Sequence, residues 1–100
     1  MRYEFHPEAL AEYDEAAHYY AEQQPDLDLR FIASVERAIE LILEAPTRWR
    51  VIEEDVRRCL TRVFPFGILY TIEPGYILIV AVMHCSREPG YWKHRVTRLG

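Results

Sequence analysis

The spacing of apolar positions changes twice along the chain. Residues 2–6 alternate, with Tyr3 and Phe5 on one side, and predict a first strand over Arg2–His6. His6-Pro7-Glu8 then reads as a helix entry. Proline suits the first helical position because its missing N–H would be unpaired there anyway, and an early acid suits the helix dipole. Leu10, Tyr13, Ala17, Tyr20 and Ala21 follow at helical spacing, with Glu8, Glu12 and Glu15 expected on the solvent side. Gln23-Gln24-Pro25 breaks this helix, and Asp26 is placed to cap a second one. Leu29, Ile32, Val35, Ile39, Ile42 and Leu43 form its apolar face, and Ala45-Pro46 ends it, because the residue before proline is pushed away from helical ψ. Two helices of similar length with a tight break between them predict an antiparallel αα-hairpin.

After Thr47 the pattern is that of strands. Val51–Glu53 predicts a short one, and Arg57–Phe64, Gly67–Glu73 and Tyr76–Cys85 predict longer ones, rich in Val, Ile, Tyr and Thr. Pro65 separates the first long pair, and Pro74-Gly75 marks a tight turn between the second. Tyr76–Met83 is apolar on both faces and predicts a central strand. The tail from Glu88 to Gly100 is polar with Tyr91, Trp92 and Val96 embedded, compatible with a short strand or a frayed helix. The expected class is α+β: a helical hairpin packed on a twisted antiparallel sheet in β-α-α-β-β-β order, one domain over residues 1–100.

Composition narrows the function classes. A chain of 100 residues with 13% aromatics, four Gly and six Pro is neither disordered nor low-complexity. Two cysteines, Cys59 and Cys85, make no disulfide scaffold and read as small buried hydrophobes. The N-terminus carries no signal-peptide pattern and no run is long and apolar enough for a membrane span, so the expected location is the cytoplasm, without membrane contact. Net charge is −4, but residues 1–55 carry 14 acids against 5 Arg, while residues 56–100 carry 7 basic residues against 2 Glu. An acidic whole binds nucleic acid poorly, which argues against direct DNA binding, whereas the basic C-terminal half can meet an acidic partner locally.

Chemistry-bearing motifs are sparse. There is no phosphate-binding glycine loop. His84-Cys85 is the only soft-ligand pair, and adjacent strand residues point to opposite faces, so neither a metal nor another cofactor is expected. His18 lies on the first helix and joins no such pair. The group of interest is Arg58, Arg62, His84, Arg87, Tyr91 and Trp92. Arg58 and Arg62 share parity on one predicted strand, and His84 closes another, with Arg87 and Tyr91 just after it. Together they would offer phosphate binding, oxyanion stabilisation and proton transfer, which makes Arg62, His84, Arg87 and Tyr91 the candidate catalytic residues. Pairing of the arginines with the acidic helices, with Tyr91 and Trp92 covering the sheet, is the structural alternative.

The stretch Arg57-x-x-Leu60-x-x-Val63-Phe64-Pro65-Phe66-Gly67-Ile68-x-Tyr70-x-Ile72 resembles the RelE/ParE family of toxins from bacterial type II toxin–antitoxin modules. The strand Ile77–Val82, the following Met83-His84-x-x-Arg87-x-Pro89-x-Tyr91-Trp92 and the opening His6-Pro7-Glu8-Ala9 extend the likeness over nearly the whole chain. The resemblance implies a helical hairpin on a twisted sheet, and a small toxin neutralised by a cognate antitoxin that folds as it binds. It implies one of two activities. RelE-like members cut mRNA in the ribosome with basic residues and a late Tyr or His, while ParE-like members block DNA gyrase. With Lys93 as its only lysine, the chain resembles the ParE-like side more closely. Ribosome-dependent mRNA cleavage and a non-toxic partner-binding role are the alternatives. Arg58, Arg62, Arg87, Tyr91 and Trp92 are the expected contacts to target or antitoxin.

Overall fold

A computed structural model describes residues 1–96. In chain order the elements are β1 (Arg2–Phe5), α1 (Pro7–Gln23), α2 (Leu27–Glu44), β2 (Val51–Glu53), β3 (Val56–Leu60), β4 (Phe66–Glu73) and β5 (Tyr76–His84), followed by a 3₁₀ turn at Lys93–Arg95. The five strands form one sheet in the order β1-β5-β4-β3-β2. β2 to β5 are an antiparallel meander, whereas β1 lies parallel to β5, with Arg2 opposite Tyr76 and Phe5 opposite Ile79. The sheet is therefore mixed. The helical hairpin separates β1 from β2, and four strands of alternating direction then bring β5 alongside β1 in the same sense.

α1 begins as its sequence suggests, with the His6 imidazole accepting from the Glu8 N–H at 3.1 Å and Pro7 in the first turn. At α2 the expected cap fails. Asp26 is in the left-handed region (φ 68°) and its side chain makes no capping bond. A capping side chain needs an extended backbone to reach the free N–H groups, and this tight reversal denies it that.

The helix-side core sets Ala9 of α1 and Phe31, Val35, Ala38, Ile39 and Ile42 of α2 on Cys59, Ile68, Tyr70, Ile77 and Ile79. At its centre Phe31 meets the rings of Tyr13, Tyr20, Phe64 and Phe66 at centroid distances of 5.0–6.0 Å, within the favourable range for aromatic pairs. The α1 stripe is rotated from the expected one: Ala9, Tyr13, Ala16, Ala17 and Tyr20 face inward, while Leu10 and Ala21 are exposed, as is Leu29 on α2. The opposite face of the sheet carries Val56, Leu69, Val80, Ala81 and Met83, covered by Trp92 with Tyr91 and Val96. The tail is thus a looped cover ending in a 3₁₀ turn, and residues 97–100, part of the predicted strand or frayed helix, lie outside the described residues.

Two departures from regular strand geometry shape the functional surfaces. β3 stops at Leu60, four residues before its predicted end. The chain there turns through Val63 in the left-handed region (φ 75°), and Thr61 donates through its backbone N–H to Phe66 O (2.9 Å) and through its hydroxyl to Phe64 O (2.9 Å). In β5 the register slips between Leu69–Ala81 and Tyr70–Ile79, leaving Val80 as an extra residue. Val80 and Ala81 both belong to the far-face core, and the alternation resumes inverted, which brings Val82 to the helix side.

The two thiols differ sharply. Cys59 is 1% exposed and burial pushes its thiol up to about 11, against a smaller opposing effect of Arg48, whereas Cys85, expected to be buried, is exposed because β5 ends one residue before it. Titration of the native protein with a thiol reagent is expected to show one fast thiol, with Cys59 silent even at pH ~9 and released only by denaturant. Two fast thiols in the native state would contradict this packing.

Candidate functional site

Beyond Ile79, β5 has no strand on its β1 side, because β1 ends at Phe5 and the His6 N–H bonds Ile79 O. The backbone groups left open by the bulge are met by side chains. Glu12 Oε1 accepts from the Val82 N–H (3.1 Å), and Arg95 Nη1 donates to Val80 O (3.1 Å). The same two side chains form a bidentate pair, with Arg95 Nη1 at 2.8 Å from Glu12 Oε1 and Nη2 at 3.1 Å from Oε2. Tyr91 completes the knot by donating its hydroxyl to Glu12 Oε2 at 2.5 Å. Glu12 and Arg95 are only 16% and 6% exposed, so this is a largely buried pair, in which, among the described residues, Arg95 Nε has no hydrogen-bond partner and only approaches Glu8 Oε2 at 3.6 Å.

Glu12 was expected on the solvent face of α1, and the structure overturns that expectation. The residue falls in the stripe Ala9-Glu12-Tyr13-Ala16, where small neighbours let α1 approach β5 closely. A glutamate inside a stripe of small residues was the available signal. Arg95 carried no signal apart from its sign.

The knot fixes the electrostatics nearby. Burial pushes the Tyr91 hydroxyl well above its ordinary value, and the Glu12 carboxylate adds to the effect, so Tyr91 stays protonated at neutral pH. Burial would lower the Arg95 pKa, but the hydrogen bond and charge of Glu12 outweigh it, and the guanidinium remains charged. The Arg87 guanidinium lies 3.9 Å over the Tyr91 ring, a cation–π contact that orients an exposed cation. His84 stacks edge-on against Phe66 at 5.2 Å. Its Nδ1 accepts from the Ser86 N–H at 3.0 Å, which assigns the proton of the neutral ring to Nε2. His84, Arg87 and Tyr91, with Glu12, Glu15 and Phe66, line a depression of about 240 Å³ between α1 and the end of β5.

The remaining expected site residues are elsewhere. Arg62 is in the β3–β4 loop, lining a different groove with Arg30 and Arg37. It shares no strand face with Arg58, because β3 ends before it. Arg58 is half-buried on β3, its aliphatic stem lying against Gly67, where even a Cβ would meet it at 3.1 Å. Trp92 is 2% exposed in the far-face core and offers no surface to a partner. His18 pairs with Asp14 one turn back on the exposed side of α1. The structure therefore gathers His84, Arg87 and Tyr91, and separates them from Arg62.

A family model described as ParE toxin of type II toxin–antitoxin system, parDE, matches residues 3–89. The chain belongs to the ParE toxin family. The match spans both helices and all five strands, so the bulged strand and the hairpin are parts of a ParE-type fold. A solved structure described as the chromosomal ParDE TA system from P. aeruginosa is similar over 84% of this chain and 95% of that one, with a TM-score of 0.73 and 15% identity. At that identity the likeness concerns the fold alone. Comparison with curated proteins yields no match. Among the described residues of this ParE-family chain, no helix is long and apolar enough to cross a membrane.

Proposed function

We propose that this chain is a toxin held in check by a cognate antitoxin, and that it acts by gripping a cellular target such as DNA gyrase rather than by cutting RNA. The observation that carries the proposal is the commitment of Tyr91. Its hydroxyl is protonated and donates to a buried carboxylate, so it is not poised to take a proton from a ribose hydroxyl. Arg62, the further cation that metal-free RNA cleavage would recruit, lines another groove. What the depression does present is an oriented, exposed Arg87 beside the Nε2–H of His84, a pair of donors for a carboxylate or phosphate on a macromolecular surface.

Induced expression tests this, scored together for growth, mRNA integrity and the DNA-damage response. Growth arrest with a damage response and intact mRNA is expected, and Arg87→Glu is expected to relieve the arrest. Codon-positioned mRNA cuts that vanish in Arg87→Ala would favour the RelE-like activity instead. Normal growth with abundant protein would favour a non-toxic partner-binding role.

A further inference from the structure

The turn that follows β5 carries a pair of groups that the proposed target face leaves unused. Ser86 is exposed, and both of its donors converge on one atom of His84. The Ser86 N–H bonds Nδ1 at 3.0 Å, and because an N–H can only donate, Nδ1 is an acceptor. The Ser86 hydroxyl, 2.7 Å from the same nitrogen, therefore donates its proton there too. Closing the turn needs only the backbone donor. The second bond sets a hydroxyl against a base at the separation, about 2.6–3.2 Å, that marks a nucleophile and its proton acceptor.

The pair is held in place from several sides. The Cys85 N–H donates to Pro65 O (2.8 Å) and the Arg87 N–H to His84 O (3.0 Å), so backbone bonds fix the turn on both sides of Ser86. Phe66 meets the imidazole edge-on at 5.2 Å. Arg87, the next residue, holds its exposed guanidinium over Tyr91 and lines the depression with His84. Base, hydroxyl and cation thus lie within the short stretch from His84 to Arg87. Such a set can activate a hydroxyl and steady one phosphate. The sequence has no glycine loop to cradle a polyphosphate. A donor with a single phosphate on a good leaving group fits better. An acyl phosphate is such a donor, since its carboxylate departs without help from an acid.

We propose that Ser86 is a phosphoryl-acceptor site, with His84 as its base and an acyl phosphate as the donor. Ser86 Oγ attacks phosphorus, and the new O–P bond forms as the bond from phosphorus to the acyl oxygen breaks. The hydroxyl proton passes to His84 Nδ1, and the carboxylate leaves with the bonding pair. The product is a phosphoserine beside Arg87, where its charge engages the guanidinium. That consequence rests on the reading of Arg87 as the cation offered to the target, and it makes the modified chain a silenced toxin.

Incubation of the purified full chain with acetyl phosphate, read by intact mass and peptide mapping, tests the assignment. One added phosphate on Ser86 is expected, and none in Ser86→Ala. Ser34, the only other serine, is an internal control. Its hydroxyl donates to the Arg62 carbonyl, which takes no proton, so it is expected to stay unmodified. His84→Asn keeps an acceptor for the Ser86 N–H but no base. It is expected to slow the reaction roughly 100-fold or more while melting like wild type. No phosphate on Ser86, or an unchanged rate in His84→Asn, would reduce the pair to a turn contact and overturn the proposal. Acetyl groups on amines in place of phosphate on Ser86 would overturn it equally. The phosphorylated chain, separated by anion exchange, is then compared with the unmodified chain as an inhibitor of DNA gyrase. About tenfold weaker inhibition is expected. Equal inhibition by both forms would overturn the silencing and leave the acceptor site standing. No inhibition by the unmodified chain would overturn the reading of the target instead, with the acceptor site still decided by the mass measurement.

Discussion

Replacing Glu12 with alanine is expected to destabilise the fold by about 3 kcal/mol or more, the scale for breaking a buried ion pair from one side. The substitution strands a guanidinium that is 6% exposed, leaves the Val82 N–H without its acceptor and frees the Tyr91 hydroxyl. For a domain of this size such a loss lowers Tm by roughly 10–20 °C, a large part of a total stability that seldom exceeds ~15 kcal/mol. Glu12→Gln keeps the shape and an acceptor for Val82, so it is expected to cost less. The double variant Glu12→Ala/Arg95→Met removes the orphaned charge as well, and is expected to recover part of the loss. Salt should change little, because the pair is shielded from the ions that screen exposed bridges. A Tm within ~3 °C of wild type for Glu12→Ala would mean that the pair is solvated and that the edge of β5 is closed by something else.

The second large effect is expected at Phe31. Its side chain is fully buried and joins both helices to the Phe64–Phe66 segment, with ring contacts to Tyr20 at 5.1 Å and Phe66 at 5.0 Å. Phe31→Ala removes that area from the core and leaves a cavity that rigid neighbouring rings cannot fill, at a cost of about 3–5 kcal/mol. Tyr19→Ala is the control. Tyr19 is 57% exposed, although it also touches Tyr20, and its loss is expected to stay within about 0.5 kcal/mol. Denaturant unfolding of the two variants under one set of conditions measures the difference. Equal costs would mean that the aromatic nest is not the centre of the core.

Much of the fold was legible because its signals are periodic. The α2 face, the Pro25 and Pro46 stops and the three long strand runs appear in the structure within a few residues of their expected bounds, β3 apart. What escaped notice was set by contacts between elements. Leu10 outweighs Ala9 in any count of hydrophobicity, yet the smaller residue takes the inner position, because α1 lies close against β5. That rotation of the stripe carried Glu12 inward with it. The β5 bulge was hidden because Ile77–Met83 is apolar on both faces, and alternation has no phase to lose in such a run. The early end of β3 depends on a valine at positive φ, which no propensity would suggest, and with it went the expected meeting of Arg62 with Arg87. Trp92 read equally well as surface or core, and the far face of the sheet claimed it.

The depression at the end of β5 is the proposed target face, and its geometry is a chain of dependence. Glu12 holds the Tyr91 hydroxyl, the Tyr91 ring supports Arg87, and Arg87 is the cation offered to the partner. Every link but the last is structural. The most direct test is a supercoiling assay in which purified chain, wild type or Arg87→Ala, is mixed with DNA gyrase and relaxed plasmid. The account predicts inhibition by the wild-type chain and a loss of roughly tenfold or more in potency for Arg87→Ala, which should melt like wild type. Full supercoiling in the presence of excess wild-type chain, alongside codon-positioned cleavage of mRNA on ribosomes by the same preparation, would contradict it.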